Sequence, residues 1–331
     1  MTRTLETKLE RIVGGVSTPA DFIIADAKDG DMGFGAHSPG PERNPDGSRT
    51  GRLKTREDYL NQIKDIVTQG VVDVMLVSAS NYERLNQDGV FSGSAVTPAI
   101  RGNDTTDIWT MRGGKHRTVA SRPFRSADLK RVRDLGCDLC LYSMTFVNDA
   151  EADLRSVEAY REFRQDAADV GMKHFLEVFN PNIDAGLSAE EVGPFVNDCI
   201  ARSLAGLVSA ERPLFLKIAF NGASALSELC NYDSSLVVGV LGGSAGTTRD
   251  TFELLSQAST NGAKVALFGR KINLAESPLD IVRLMRAVAS EGKAPSDAVA
   301  EYHDALSQKG ITPDRPLDSD LQITESVLVT S

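Results

Sequence analysis

Lys217 stands in the middle of "RPLFLKIAFNG" (212–222), an apolar run that offers an ammonium group no partner of its own. Bounded by Pro213 and by Asn221-Gly222, the run reads as a strand buried on both faces. A charged amine there is costly unless it is paired, neutralised or put to use. Desolvation disfavours the charged form. A neutral amine can condense with a carbonyl to give an imine, and the protonated imine is an electron sink for breaking or making an adjacent C–C bond. Lys173 and Lys264, by contrast, open their strand-like runs.

Imine formation needs groups that move protons. Asp26, in "DFIIAD", and Glu177, in "KHFLEVF", lie at the ends of two further strand-like runs and could serve as acid or base. Each also has a plainer reading, Asp26 as a loop cap and Glu177 as the counter-ion of Lys217. Two glycine corners complete the set. "VLGGSAGTTRD" (240–250) brings Gly242, Gly243 and Ser244 to the start of a helix, and "ALFGRKIN" (266–273) brings Gly269 and Arg270 to the end of a strand. Glycines let backbone N–H groups approach an oxyanion, a helix N-terminus favours negative charge, and an arginine adds a charge-assisted contact.

The elements that must position these residues alternate. Strand-like runs at 21–26, 72–78, 95–100, 138–144, 173–179, 213–220, 236–242 and 263–269 are separated by helical stretches at 55–69, 125–135, 149–170, 188–209, 222–230 and 247–261, with another at 278–291. The pattern predicts a single (β/α)8 TIM barrel of the α/β class spanning 1–331. No GxGxxG follows the first run, as a doubly wound sheet would favour. A polar helix at about 1–15 precedes the barrel, and an extension from about 292 adds a helix near 295–308 and a tail. Two loops are too long to be connectors: 27–54, rich in Gly, Pro and Asp, and 101–124, which carries Arg101, Arg112, Lys115, His116, Arg117 and Arg122. In such a barrel the loops after the strands share one face, where the chemistry sits.

Composition removes other classes. The net charge of −10 argues against a nucleic-acid partner. No apolar run reaches the roughly 18–20 residues needed to span a bilayer, and the polar N-terminus points to a cytoplasmic protein. Four cysteines make no disulfide framework. Cys137 and Cys140, three apart on a strand, should face opposite ways as core residues. The four histidines are scattered, so neither a metal nor another cofactor is expected.

By "GCDLCLYSM", "FLKIAFNG", "VLGGSAGTTRDTF" and "VALFGRKIN", in that order and spacing, the chain resembles the class I, Schiff-base aldolases of the DeoC/LacD/FbaB superfamily over about residues 20–290. The resemblance implies Lys217 as the imine-forming residue, Asp26 as the strand-one acid, and Glu177 as the strand-five glutamate of tagatose-bisphosphate aldolases. It also implies Gly242, Gly243, Ser244, Gly269 and Arg270 as the phosphate site. The first strand departs from the family's D-H-G or D-Q-R-G, so Asp29 competes with Asp26. The strand-four proton donor is open between Tyr142 and Thr145, with Glu177 as a third choice. The expected activity is cleavage or formation of a phosphorylated ketose of the dihydroxyacetone-phosphate type, in a homo-oligomer. An acyltransferase or thiolase-like reaction on a phosphorylated diketone, or a non-catalytic phosphosugar-binding barrel, are the alternatives.

Overall fold

Where β-branched and aromatic residues concentrate between turn residues, strands form, and eight of them close on one another. The computed structural model describes residues 2–243 and 246–329. Its barrel strands are β1 (Ile23–Lys28), β2 (Val74–Val77), β3 (Thr97–Arg101), β4 (Leu139–Thr145), β5 (Lys173–Phe179), β6 (Leu216–Ile218), β7 (Gly239–Leu241) and β8 (Val265–Phe268). They form a closed parallel barrel in which each strand pairs with its neighbours in the chain and β1 pairs with β8. The α/β barrel expected from the alternation is therefore the observed fold.

Side chains alternate along each strand, so two populations separate. Ile23, Ala25, Val74, Leu76, Ala99, Leu139, Leu141, Phe175, Phe215, Val237, Val265 and Leu267 cluster together as the filling of the barrel. The residues between them, such as Ile24, Met75, Ile100, Tyr142, Leu176 and Val240, pack outward against the helices. Leu5 joins the interior cluster, with Leu9 and Ile12 against it, so the helix Thr4–Val13 plugs the N-terminal end. Lys8 secures that plug by an ion pair with Asp73, which also receives Arg286. The opposite end is left for the chemistry.

Several elements went unread in the sequence. Ala79–Gln87 is a helix between β2 and β3, hidden because its polar segment buries only Asn81, Tyr82 and Leu85. The first long loop holds a two-stranded antiparallel hairpin, Pro41–Arg43 with Arg49–Leu53. A short helix, Arg270–Leu274, follows β8. Cys137 and Cys140 also depart from expectation, since both lie in the outer layer. Strand β4 begins only at Leu139, so the alternation argument does not reach Cys137.

The two long loops meet: Thr110 N–H donates to the Gly33 carbonyl at 2.8 Å. The C-terminal tail folds back over the same end. Arg43 and Arg49 of the hairpin both bond Asp314, and the Thr312 N–H reaches the Asp46 carbonyl.

Candidate active site

One step above the apolar filling, the interior changes character. The next inward positions are Arg101 on β3, Ser143 on β4, Glu177 on β5 and Lys217 on β6, all buried. Register aligns three of them across adjacent strands, with Ser143 opposite Glu177 and Glu177 opposite Lys217. Lys217 Nζ lies 2.6 Å from Glu177 Oε1. The other carboxylate oxygen, Oε2, accepts from Ser143 Oγ at 2.6 Å and from Arg101 Nη2 at 3.2 Å. Arg101 Nη1 donates to Ser143 Oγ at 2.7 Å. Asn103 fixes the Ser143 backbone by accepting from its N–H and donating to its carbonyl.

The two aspartates of the first strand face opposite ways. Asp26 shares the parity of Phe22 and Ile24, whose side chains belong to the outer layer, so it faces away from the barrel interior. It is wholly buried, its nearest ionic partner is Lys28 Nζ at 3.5 Å, and among the described residues its carboxylate accepts no hydrogen bond. Burial pushes its carboxyl up to about 6, against the opposing pull of Lys28. Burial likewise lowers Lys28, which reaches Gln62 and Asn273 on the helical side. Asp29, three residues on, takes the inward place: its Oδ2 accepts from Arg101 Nε at 2.5 Å. Burial would raise the Asp29 carboxyl, but the charges of Arg101 and then Lys217 hold it below the usual carboxylate range.

Tyr142, expected at the site, faces outward like Asp26. It alternates with Leu141 and Ser143, so its ring lies outside the barrel, 4.5 Å from Phe163 and 4.9 Å from Tyr160 between ring centroids. Its hydroxyl finds no partner among the described residues, and burial pushes it well above the usual phenol range. Thr145 does point inward, but it donates to Asp107, which also binds Ser121. The inward strand-four residue that reaches Glu177 is Ser143.

The glycine corners divide. The Gly242 N–H is spent on the Leu267 carbonyl at 2.7 Å, and a Cβ there would fall 2.6 Å from Phe268, so this glycine serves strand packing. A Cβ on Gly269 would meet the Ala27 carbonyl at 2.6 Å. Gly243 has open space where a Cβ would be. Arg270 Nη2 donates to the Gly243 carbonyl at 3.1 Å and so ties the two corners together. Burial, and then the like charge of Arg117 from the second long loop, hold the Arg270 guanidinium below its usual range. Ser244 lies outside the described residues. The helix Thr248–Thr260 does not offer its N-terminus to a ligand, because Asp320 of the tail caps the Thr248 N–H at 2.7 Å and Asp250 caps Thr247.

Arg101 was legible only as part of a basic loop. Arg112, Lys115, His116, Arg117 and Arg122 are exposed, whereas Arg101 is buried at the end of β3. Two residues past the interior Ala99, it has inward parity, and counting by twos from the strand would have found it.

No protein-family model matches the chain, and no curated protein matches it in sequence. Solved structures do. A fructose-bisphosphate aldolase from Slackia heliotrinireducens superposes with a TM-score of 0.64 at 17% identity, covering 91% of this chain and 90% of that one. An archaeal fructose 1,6-bisphosphate aldolase gives 0.61 at 14%, covering 87% and 100%. The likeness is one of fold. A third, an archaeal fructose-1,6-bisphosphate aldolase with its catalytic lysine covalently bound to the carbinolamine intermediate of the substrate, gives 0.59 at 14%, covering 86% and 99%.

Proposed function

We propose that this chain is a class I aldolase of the DeoC/LacD/FbaB superfamily, breaking or forming a C–C bond of a phosphorylated ketose through an imine on Lys217. The observation that carries this reading is the Lys217–Glu177 contact, buried just above the apolar filling of the barrel at the C-terminal ends of the strands. The same fold serves the Schiff-base enzymes above, which supports the assignment.

In this reaction the Lys217 amine adds to the ketone carbon, and the carbinolamine loses water to give the iminium. Glu177, in contact with that amine, accepts and returns the protons of these steps. A carboxylate then removes the proton of the β-hydroxyl. The C–C bond breaks, its electron pair moves toward the iminium, and an aldehyde leaves. The enamine is protonated at carbon, and water hydrolyses the imine to release the second product and the free amine. The electron sink is the iminium itself, so the chemistry calls on no metal ion.

Asp29 has a different part. Held below the usual carboxylate range, it stays ionised and stabilises the cationic iminium, so it is not a proton donor. Arg270, on the rim beside Gly243, is the group that grips the substrate phosphate.

Borohydride reduction in the presence of dihydroxyacetone phosphate or fructose 1,6-bisphosphate, followed by peptide mapping, tests the proposal. A single adduct on Lys217 is expected. An adduct on another lysine, Lys28 included, or none with any phosphoketose, refutes it.

A further inference from the structure

Arg101 touches three other members of the polar ring. Its Nε donates to Asp29, its Nη1 to Ser143 and its Nη2 to Glu177, so each of its three nitrogens is engaged by the protein. A guanidinium is planar and keeps these donors in a fixed fork, which locks the relative placement of the groups it binds. Glu177 is held on the same principle: Oε2 is taken by Arg101 and Ser143, which leaves Oε1 directed at Lys217. The charges alternate along the chain of contacts, Asp29, Arg101, Glu177, Lys217.

We infer that Arg101 is a positioning residue: by bonding Asp29, Ser143 and Glu177 at once, it aims the Glu177 carboxylate at the Lys217 amine. The inference about catalysis rests on the aldolase reading; the inference about where Glu177 points does not.

The test uses the full chain and the variants Arg101→Ala and Arg101→Lys. Crystal structures come first: in Arg101→Ala, Glu177 Oε1 is expected to leave hydrogen-bond distance of Lys217 Nζ. If the pair stays in contact, the positioning role is overturned whatever the protein catalyses. Single-turnover borohydride trapping of dihydroxyacetone phosphate on Lys217 comes second. The trapping rate of Arg101→Ala should fall about 100-fold, the scale of a small misplacement of a reacting group. Millimolar methylguanidinium should restore much of it by refilling the vacated fork, while sodium chloride at the same concentration should not. Arg101→Lys, with one point charge in place of the fork, should fall between the two. A folded Arg101→Ala that traps at the wild-type rate, or a loss that follows the melting temperature and ignores methylguanidinium, rejects the inference. Failure of the wild-type protein to trap any ketone rejects the aldolase reading, and the crystal structures still decide the placement of Glu177.

Discussion

Lys217 and Glu177 sit opposite one another on β6 and β5, and their side chains meet at 2.6 Å inside the barrel. Parallel register brings their Cα atoms side by side, and inward parity on both strands sends both side chains to the same spot. Removing the carboxylate tests what the contact does. Glu177→Gln keeps the shape and is expected to lower kcat by about 10²- to 10⁴-fold, the usual weight of a proton-transfer group. Glu177→Ala should in addition cost about 3–5 kcal/mol of stability, because it strands a buried cation. Steady-state kinetics and denaturant titration read the two effects separately.

The two aspartates of the first strand make a paired control. Asp29→Asn removes a charge close to the reacting amine and should depress kcat, whereas Asp26→Asn, on the helical side, should leave kcat near wild type. Asp26 has a pH signature instead. Its folded carboxyl is raised from 3.8 to about 6, so the folded state binds the proton more tightly than the unfolded one. Its contribution therefore favours folding at low pH and is lost as pH rises from about 4 through 6. Against Asp26→Asn, wild-type stability should fall across that window and run parallel above it, measured by urea titration at a series of pH values.

Tyr142 sits against Phe163 and Tyr160 with a buried, unpartnered hydroxyl. Tyr142→Phe removes a desolvated polar group and keeps the ring, so it should leave activity unchanged and hold or raise the melting temperature. Tyr142→Ala should instead cost about 3–5 kcal/mol through the cavity it opens. A large loss of kcat in Tyr142→Phe would reinstate the tyrosine as the proton donor.

Arg270 divides binding from chemistry. Loss of a charge-assisted contact of about 1.5–3 kcal/mol should raise KM for a phosphorylated ketose by about 10- to 100-fold in Arg270→Ala. Trapping of unphosphorylated dihydroxyacetone should hardly change. Equal losses with both ketones would place Arg270 outside the phosphate site.

The alternation of strands and helices and the odd lysine in "FLKIAF" were readable because both are local. Hydrophobic periodicity is set by neighbours in the chain, and a lysine flanked by apolar residues is conspicuous without any fold. Glu177 followed from the same kind of reading. What the linear string could not supply was the direction of each side chain, because a shift of one residue in where a strand enters the barrel exchanges inside for outside. That shift separates Asp29 from Asp26 and Ser143 from Tyr142, and it takes Arg101 out of a basic loop and into the ring. The helix N-terminus after β7 was decided by an even longer range, since Asp320, far along the tail, supplies the negative charge that a ligand was expected to bring. Sequence alone determined which residues could do the chemistry; only closure of the barrel, which fixes parity and register together, decided which of them face each other.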